Sequence, residues 1–138
     1  MLADEIKTVI FCDDICKEIT NKDILIGVYA GDIVVPSFPT PLALALWIEI
    51  DPKQVGTREL TFRVIAGKAE PFQFGIGIET ITLGAASLLI PPIPTPMDSE
   101  GEITLEIRDG EQWRLLKRKR VKKGLVPTPL GLPPLGGH

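Results

Sequence analysis

The chain has very few of the side chains on which most enzyme mechanisms depend. Among its 138 residues the only histidine is His138, the last one. Histidine is the commonest general base and a common metal ligand near neutral pH. A Ser–His or Cys–His nucleophile system is therefore excluded unless a second chain supplies the base. We expect a protein that is not an enzyme and that carries no cofactor.

Cysteine is almost as scarce, since Cys12 and Cys16 are the two thiols of the chain. In an extended strand their Cα atoms would lie roughly 13 Å apart at ~3.3 Å per residue. A disulfide requires a separation below about 7 Å. We therefore expect two free thiols in a reducing compartment. Two thiolates are half of the ligands of a structural zinc site, and without a second pair we expect no metal.

Long hydrophobic runs are also missing. The longest, Leu42–Ile48, has seven residues, whereas a membrane-spanning helix needs roughly 18 or more. The first five residues, Met-Leu-Ala-Asp-Glu, are acidic rather than basic, which argues against a secretory signal. We expect no membrane contact and a location inside a cell.

What the chain does have is abundant glycine and proline, 13 of each, and several segments in which apolar and polar residues alternate. Period-two alternation is typical of a strand with one buried face. No window of a dozen residues shows a capped helical stripe. The predicted core-side residues are Leu42, Leu44, Leu46, Ile48 and Ile50; Leu60, Phe62 and Val64; Phe72, Phe74, Ile76 and Ile78; and Ile103, Leu105 and Ile107.

Turn residues between these segments define the expected fold. Asn21-Lys22-Asp23 and Asp109-Gly110 predict hairpins. The proline-rich run Leu88–Pro96 is expected at a sheet edge or in a crossing loop that links two sheets. Together these features predict an antiparallel β-sandwich, immunoglobulin-like or C2-like, with seven to eight strands and little helix. The domain is expected to cover residues 1–124, followed by an extended Pro/Gly/Leu-rich tail at 125–138.

Two short motifs near the N-terminus carry a resemblance to known proteins. Phe-Cys-Asp-Asp-Ile at 11–15 is followed by Leu-Ile-Gly-Val-Tyr at 25–29 and by Ile-Val-Val-Pro at 33–36. This order resembles an uncharacterised family of small bacterial and phage proteins, a domain of unknown function. In that family the first motif continues with a basic residue, where this chain has Cys16. The resemblance implies a fold and a bacterial or phage origin but no activity, and it places the protein in a bacterial cytoplasm or in a virion.

Carboxylates cluster early in the chain, at Asp13, Asp14, Asp23 and Asp32. Loop carboxylates can bind calcium, which takes six to eight oxygen ligands. The spacing of a calcium-binding EF-hand loop is absent, and aspartates at strand ends commonly serve as turn residues. A metal-dependent enzyme that uses Asp13, Asp14 and a distant acid is therefore kept as the last alternative.

The charge distribution contains the one clear anomaly. Residues 1–111 hold eight basic and all 18 acidic side chains, a net charge of −10, whereas residues 112–138 carry +7. A basic stripe beside Trp113 could bind an acidic protein surface or a nucleic-acid backbone. Alternatively, its bases pair with Glu102, Glu106 and Glu111 on the preceding strand, and its lysines protect a sheet edge.

These observations predict a non-catalytic protein-interaction or assembly module that binds a protein partner or a second copy of itself. The alternative is a nucleic-acid-associated domain that uses residues 114–123. No small-molecule substrate is evident. The predicted partner-binding residues are Trp113, Arg114, Lys117, Arg118, Lys119, Arg120, Lys122, Lys123, Leu125, Val126, Leu130, Leu132 and Leu135.

Overall fold

A computed structural model describes residues 2–125, and almost all of the regular structure in this part of the chain is strand. A 3-10 turn at Leu2–Glu5 comes first and ten strands follow. They are β1 (Ile6–Cys12), β2 (Asp14–Lys17), β3 (Asp23–Ile26), β4 (Ile33–Val35), β5 (Ala43–Ile50), β6 (Gly56–Ala66), β7 (Phe72–Thr80), β8 (Ala86–Pro94), β9 (Gly101–Asp109) and β10 (Gln112–Lys123). The all-β prediction with little helix is confirmed. The structure has ten strands where seven to eight were expected, and three of them, β2, β3 and β4, have only three or four residues.

The strands form two larger sheets and one hairpin. The first sheet has the order β1-β5-β8, the second has the order β4-β10-β9-β6-β7, and β2 pairs with β3. The pairings between these strands are antiparallel, except that β4 lies parallel to β10. The β2–β3 hairpin packs against β5 and β8. The fold is therefore sandwich-like with one parallel pair, and its subtype stays a prediction.

One hydrophobic core joins the inner faces of both sheets. Leu46 and Ile48 from the first sheet belong to the same buried cluster as Phe62 and Leu105 from the second. Their side chains are essentially inaccessible to water. Full burial of an aliphatic or aromatic side chain of this size contributes about 1.5–3 kcal/mol of transfer free energy. The alternating patterns in β5, β6 and β9 therefore identified the core faces correctly.

The edge strands differ from the central ones in burial. β7 lies at the end of the second sheet, so its inward residues are half-buried and Phe72 is exposed. The prediction of Phe72 as a core residue is wrong for this reason. β8 lies at the end of the first sheet, as its prolines required, and the chain crosses from it to β9 in the other sheet.

Both predicted hairpins are present. β2 and β3 are joined through Asn21, whose backbone has the positive φ of 68° that asparagine tolerates. β9 and β10 are joined by Gly110 and Glu111, because Asp109 is paired with Gln112. The loop therefore begins one residue later than the Asp109-Gly110 prediction. Gly110 has a φ of 68°, at the loop position that type II′ turns reserve for glycine.

Candidate interaction surface on the basic strand

Strand β10 carries most of the predicted binding residues and has one unpaired edge. On one side it pairs with β9 from Gln112 to Val121. On the other side β4 pairs only with residues 121–123. Residues 112–120 therefore have no strand partner on that side within the described part of the chain. We call residues 112–120 the basic edge.

A β-bulge in the middle of the basic edge decides which way its side chains point. Leu115 lies opposite Glu106, but Lys117 lies opposite Leu105, so Leu116 is the extra residue. Directly opposed residues share a face of the sheet. Lys117 and Lys119 consequently occupy the core side of the strand, opposite the buried Leu105 and Ile103. An inward-pointing lysine on an open edge opposes the addition of another strand.

The outer face of the basic edge contains a cation–π contact that joins two strands. The Arg63 guanidinium of β6 lies 4.3 Å from the ring centroid of Trp113. The Arg63 Nε also donates a hydrogen bond of 2.5 Å to Glu106. Such a contact contributes about 0.5–1 kcal/mol where it is partly solvated. Arg63 therefore orients Trp113 and belongs to this surface.

The charge pairing is only partly the one predicted from the hairpin. Arg118 forms an ion pair with Glu102 at 3.0 Å. Lys122 forms an ion pair at 3.2 Å with Asp32, which directly precedes β4. Glu106 pairs with Arg63 of β6. These pairs of β10 are largely solvent-exposed and contribute little to stability.

Several bases of β10 have no acidic partner within residues 2–125. They are Lys117, Lys119, Arg120 and Lys123. Of these, Arg120 lies on the outer face, as does Leu115, which has about half of its surface exposed, whereas Lys117 and Lys119 lie on the core side. The basic edge thus combines cations that have no acidic partner with the exposed side chain of Leu115 and with Trp113, whose ring contacts Arg63.

The structure brings together the predicted binding residues from Trp113 to Lys123 on one strand. Leu125 follows, fully exposed, after Gly124, whose N–H donates to the Val35 carbonyl at 3.0 Å. The remaining predicted residues Val126, Leu130, Leu132 and Leu135 lie outside the described residues, as does most of the predicted tail. Sequence reasoning missed Arg63, because nothing local links it to a strand that begins nearly fifty residues later.

The early carboxylates are distributed among separate partners. Asp13 accepts a hydrogen bond of 2.6 Å from the Tyr29 hydroxyl, and burial, followed by this hydrogen bond, raises the pKa of Tyr29. Asp14 accepts from the Ile15 N–H, and Asp32 pairs with Lys122. Within residues 2–125 no three His, Cys, Asp or Glu side chains come together as a metal site would require.

The thiols lie away from the basic edge, and of the clefts a small one of about 250 Å³ reaches it, lined by Glu100, Gly101, Glu102 and Arg120. Cys12 is buried and Cys16 is exposed, and both are free. A cleft of about 520 Å³ lies between the β6–β7 turn and the β8–β9 loop, lined by Lys68, Met97 and Glu100 among others. A second of about 590 Å³ lies beside the β2–β3 hairpin. Both are open concavities rather than enclosed cavities.

Comparisons with known proteins gave no match, whether with protein-family models, curated proteins or solved structures. The resemblance of residues 9–36 to the uncharacterised bacterial and phage family therefore stays a prediction. Among residues 2–125, the structure has no helix of the length and apolarity needed to cross a membrane.

Proposed function

We propose that this chain is a non-catalytic protein-interaction or assembly module of bacterial or phage origin. It binds an acidic partner through the basic edge and the Leu- and Pro-rich segment that follows β10. In this proposal it works in the bacterial cytoplasm, or in a virion if a phage encodes it. The observation that carries the proposal is the row of cations on an open strand edge. Arg118 and Arg120 lie on its outer face with Leu115 and Trp113, and Lys117, Lys119 and Arg120 have no acidic partner among the described residues.

Electrostatics favour a partner of opposite charge. The net charge of −10 on residues 1–111 and +7 on residues 112–138 makes the molecule strongly polarised. A patch of one sign raises the rate of encounter with a complementary surface and disfavours partners of the same sign. The basic edge then supplies orientation and specificity more than it supplies affinity.

The segment after β10 would supply the apolar contacts. Its leucines could fill pockets on a partner, and its prolines restrict the backbone before binding, which lowers the entropy cost of ordering. The inward lysines of the basic edge disfavour simple strand addition there. We therefore propose that the partner contacts the outer face of β10 rather than extending the sheet.

The test is affinity capture from bacterial lysate followed by mass spectrometry, with three variants. Deletion of residues 126–138, or the triple change Arg118→Gln, Lys119→Gln and Arg120→Gln, should remove the same captured proteins. A matched triple change of exposed bases elsewhere, Lys22→Gln, Lys53→Gln and Lys68→Gln, should retain them. Capture that survives both the deletion and the basic-edge change contradicts the proposal.

The second candidate is a nucleic-acid-associated domain that uses residues 114–123. The observation in its favour is the density of cations beside an aromatic side chain, although Arg63 already covers one face of that ring. Phosphate contacts would give binding that weakens steeply with salt. A fluorescence titration of labelled DNA and RNA between about 50 and 200 mM salt separates the candidates, since the favoured proposal predicts no specific complex.

A further inference from the structure

The strand at the other end of the second sheet, β7, also has an open edge. β7 pairs with β6 in an uninterrupted register from Val64–Phe72 to Gly56–Thr80. It is the last strand in the order of the sheet. Among the described residues, no further backbone hydrogen bond connects β7 to any other segment. Because every second residue of a strand directs its N–H and C=O away from the paired neighbour, about half of the nine residues of β7 present these groups to solvent or to a partner.

The other edges of the two large sheets are protected, and β7 is not. β8 contains Pro91, Pro92 and Pro94, which cannot donate to a new strand. The open part of β10 has a bulge and the inward Lys117 and Lys119. β4 is too short to pair with a long strand, since it has only three residues. β1 contains Lys7 at the point where its register with β5 shifts, and both features disfavour strand addition. β7 has neither proline, basic residue nor bulge, although long open edges are normally blocked.

The two faces of β7 are suited to close approach of another strand. Its core side carries Phe72, Phe74, Ile76 and Ile78, which are half-buried or exposed instead of buried. Its outer side carries Gln73, Gly75, Gly77 and Glu79. A Cβ at Gly77 would meet nothing within 4 Å, whereas the Glu59 carboxylate of β6 lies over Gly75, 2.6 Å from the place of a Cβ. A partner strand could therefore cover apolar surface on the core side, with open space on the outer side at Gly77.

We propose that a second copy of this chain adds antiparallel to β7, with Ile76 on the two-fold axis. In this register Phe74 of one copy lies opposite Ile78 of the other, and Gln73 lies opposite Glu79. Gly75 lies opposite Gly77, so no side chains of β7 oppose each other at these two positions. Each favourable pair occurs twice, as two-fold symmetry requires. The self-complementarity of these nine residues is the reason for choosing a second copy as the occupant.

This dimer is independent of the proposed function. β7 and the basic edge lie on opposite sides of the five-stranded sheet, separated by β6 and β9. Joining two copies through β7 leaves both basic edges free and presents them at the two ends of one continuous sheet. Such an arrangement gives a partner-binding module two binding surfaces. Loss of the dimer and loss of partner capture are therefore separate outcomes.

The first test is sedimentation velocity over a concentration series. The intact chain should show a concentration-dependent dimer. Gln73→Glu places a glutamate opposite Glu79 at two equivalent places in the interface. This like-charge contact should weaken dimerisation about tenfold. Adding Glu79→Lys to that variant should restore the dimer through opposite charges. Gln54→Glu makes the same substitution at an exposed loop position and should have no effect.

The second test locates the two-fold axis by cysteine cross-linking in a Cys16→Ser background. Directly opposed Cα atoms in an antiparallel pair lie about 4.5–5.5 Å apart, within the range of a disulfide. Ile76→Cys should therefore form a covalent dimer under mild oxidation. Gln73→Cys should not, because its two copies would lie roughly 20 Å apart at ~3.4 Å per residue.

Several results would overturn the proposal. A chain that stays monomeric at every concentration excludes the dimer. A dimer that Gln73→Glu leaves unchanged, or that cross-links at position 73, has a different interface. If deletion of residues 126–138 abolishes the dimer while Gln73→Glu does not, the tail and not β7 joins the copies.

Discussion

Asp23 anchors the β2–β3 hairpin to the outer face of the first sheet. Its carboxylate accepts hydrogen bonds from the Trp47 indole at 2.8 Å and from the Ser87 hydroxyl at 2.5 Å. Lys17 of the same hairpin lies 2.8 Å away. Three donors thus converge on one carboxylate that retains only 13% of its side-chain exposure. We predict that Asp23→Asn, which keeps the shape and removes the charge, loosens the hairpin.

The magnitude follows from the pKa of Asp23. The ion pair with Lys17, followed by the hydrogen bonds from Ser87 and Trp47, lowers this pKa from 3.8 to about 2. At about 1.36 kcal/mol per pKa unit, the full difference corresponds to about 2.4 kcal/mol. Lys17 is about half exposed, so solvent screening reduces the expected loss to about 1–2 kcal/mol in the free energy of unfolding.

The sign of the pH dependence provides an independent check. Because the folded state lowers the pKa, the contribution of Asp23 is complete above about pH 5 and fades as the pH falls from 3.8 towards 2. Asp23→Asn should therefore be less stable than the parent chain at pH 7 and nearly equal to it at about pH 2.

Urea unfolding followed by tryptophan fluorescence measures this difference. Lys22→Gln, which removes an exposed ion pair with Glu18 at 3.4 Å, is the control and should change stability by less than about 0.5 kcal/mol. Equal stability of Asp23→Asn and the parent chain at pH 7 would refute the reasoning, as would a deficit that persists unchanged at pH 2.

Two further predictions concern the core and a buried ion pair. Leu105→Ala should lower the free energy of unfolding by about 2–5 kcal/mol, because Leu105 is fully buried; Thr104→Ala on the outer face should cost less than about 1 kcal/mol in the same urea titration. Glu5→Gln should cost about 1–3 kcal/mol at pH 7, because it loses the paired hydrogen bonds from Arg58. Arg58 lowers the pKa of Glu5 below 4.5, so this deficit should shrink in denaturation curves recorded below that pH.

The strands β5, β6, β7 and β9 could be predicted from the sequence because each carries its own alternating pattern. In β9, Ile103, Leu105 and Ile107 alternate with polar residues, and the same alternation marks β5 and β6. The sheet edge at β8 was also predictable, since proline cannot donate in a central ladder. The turn residues Asn21 and Gly110 located both hairpins, although the second loop begins one residue later than expected.

The candidate site was only partly predictable, because its geometry depends on contacts distant in sequence. The density of bases identified β10, but the bulge at Leu116 determines that Lys117 and Lys119 point towards the core. β9 is the single strand between β6 and β10 in the sheet, and Arg63 of β6 reaches across it to Trp113 of β10. The parallel pairing of β4 with the end of β10 has no local signal. The open edge of β7 likewise depends on the order of the strands in the sheet. The alternation of apolar and polar residues within a strand does not reveal that order.

The central claim is that the outer face of the basic edge binds a protein partner. The most direct measurement is photo-cross-linking in bacterial lysate, with a photoreactive amino acid at Leu115 and, as the control, at the more exposed surface position Ile19. We expect discrete protein adducts from position 115 that disappear when Arg118, Lys119 and Arg120 become glutamine. Adducts that arise equally from both positions, or from position 19 alone, would contradict it.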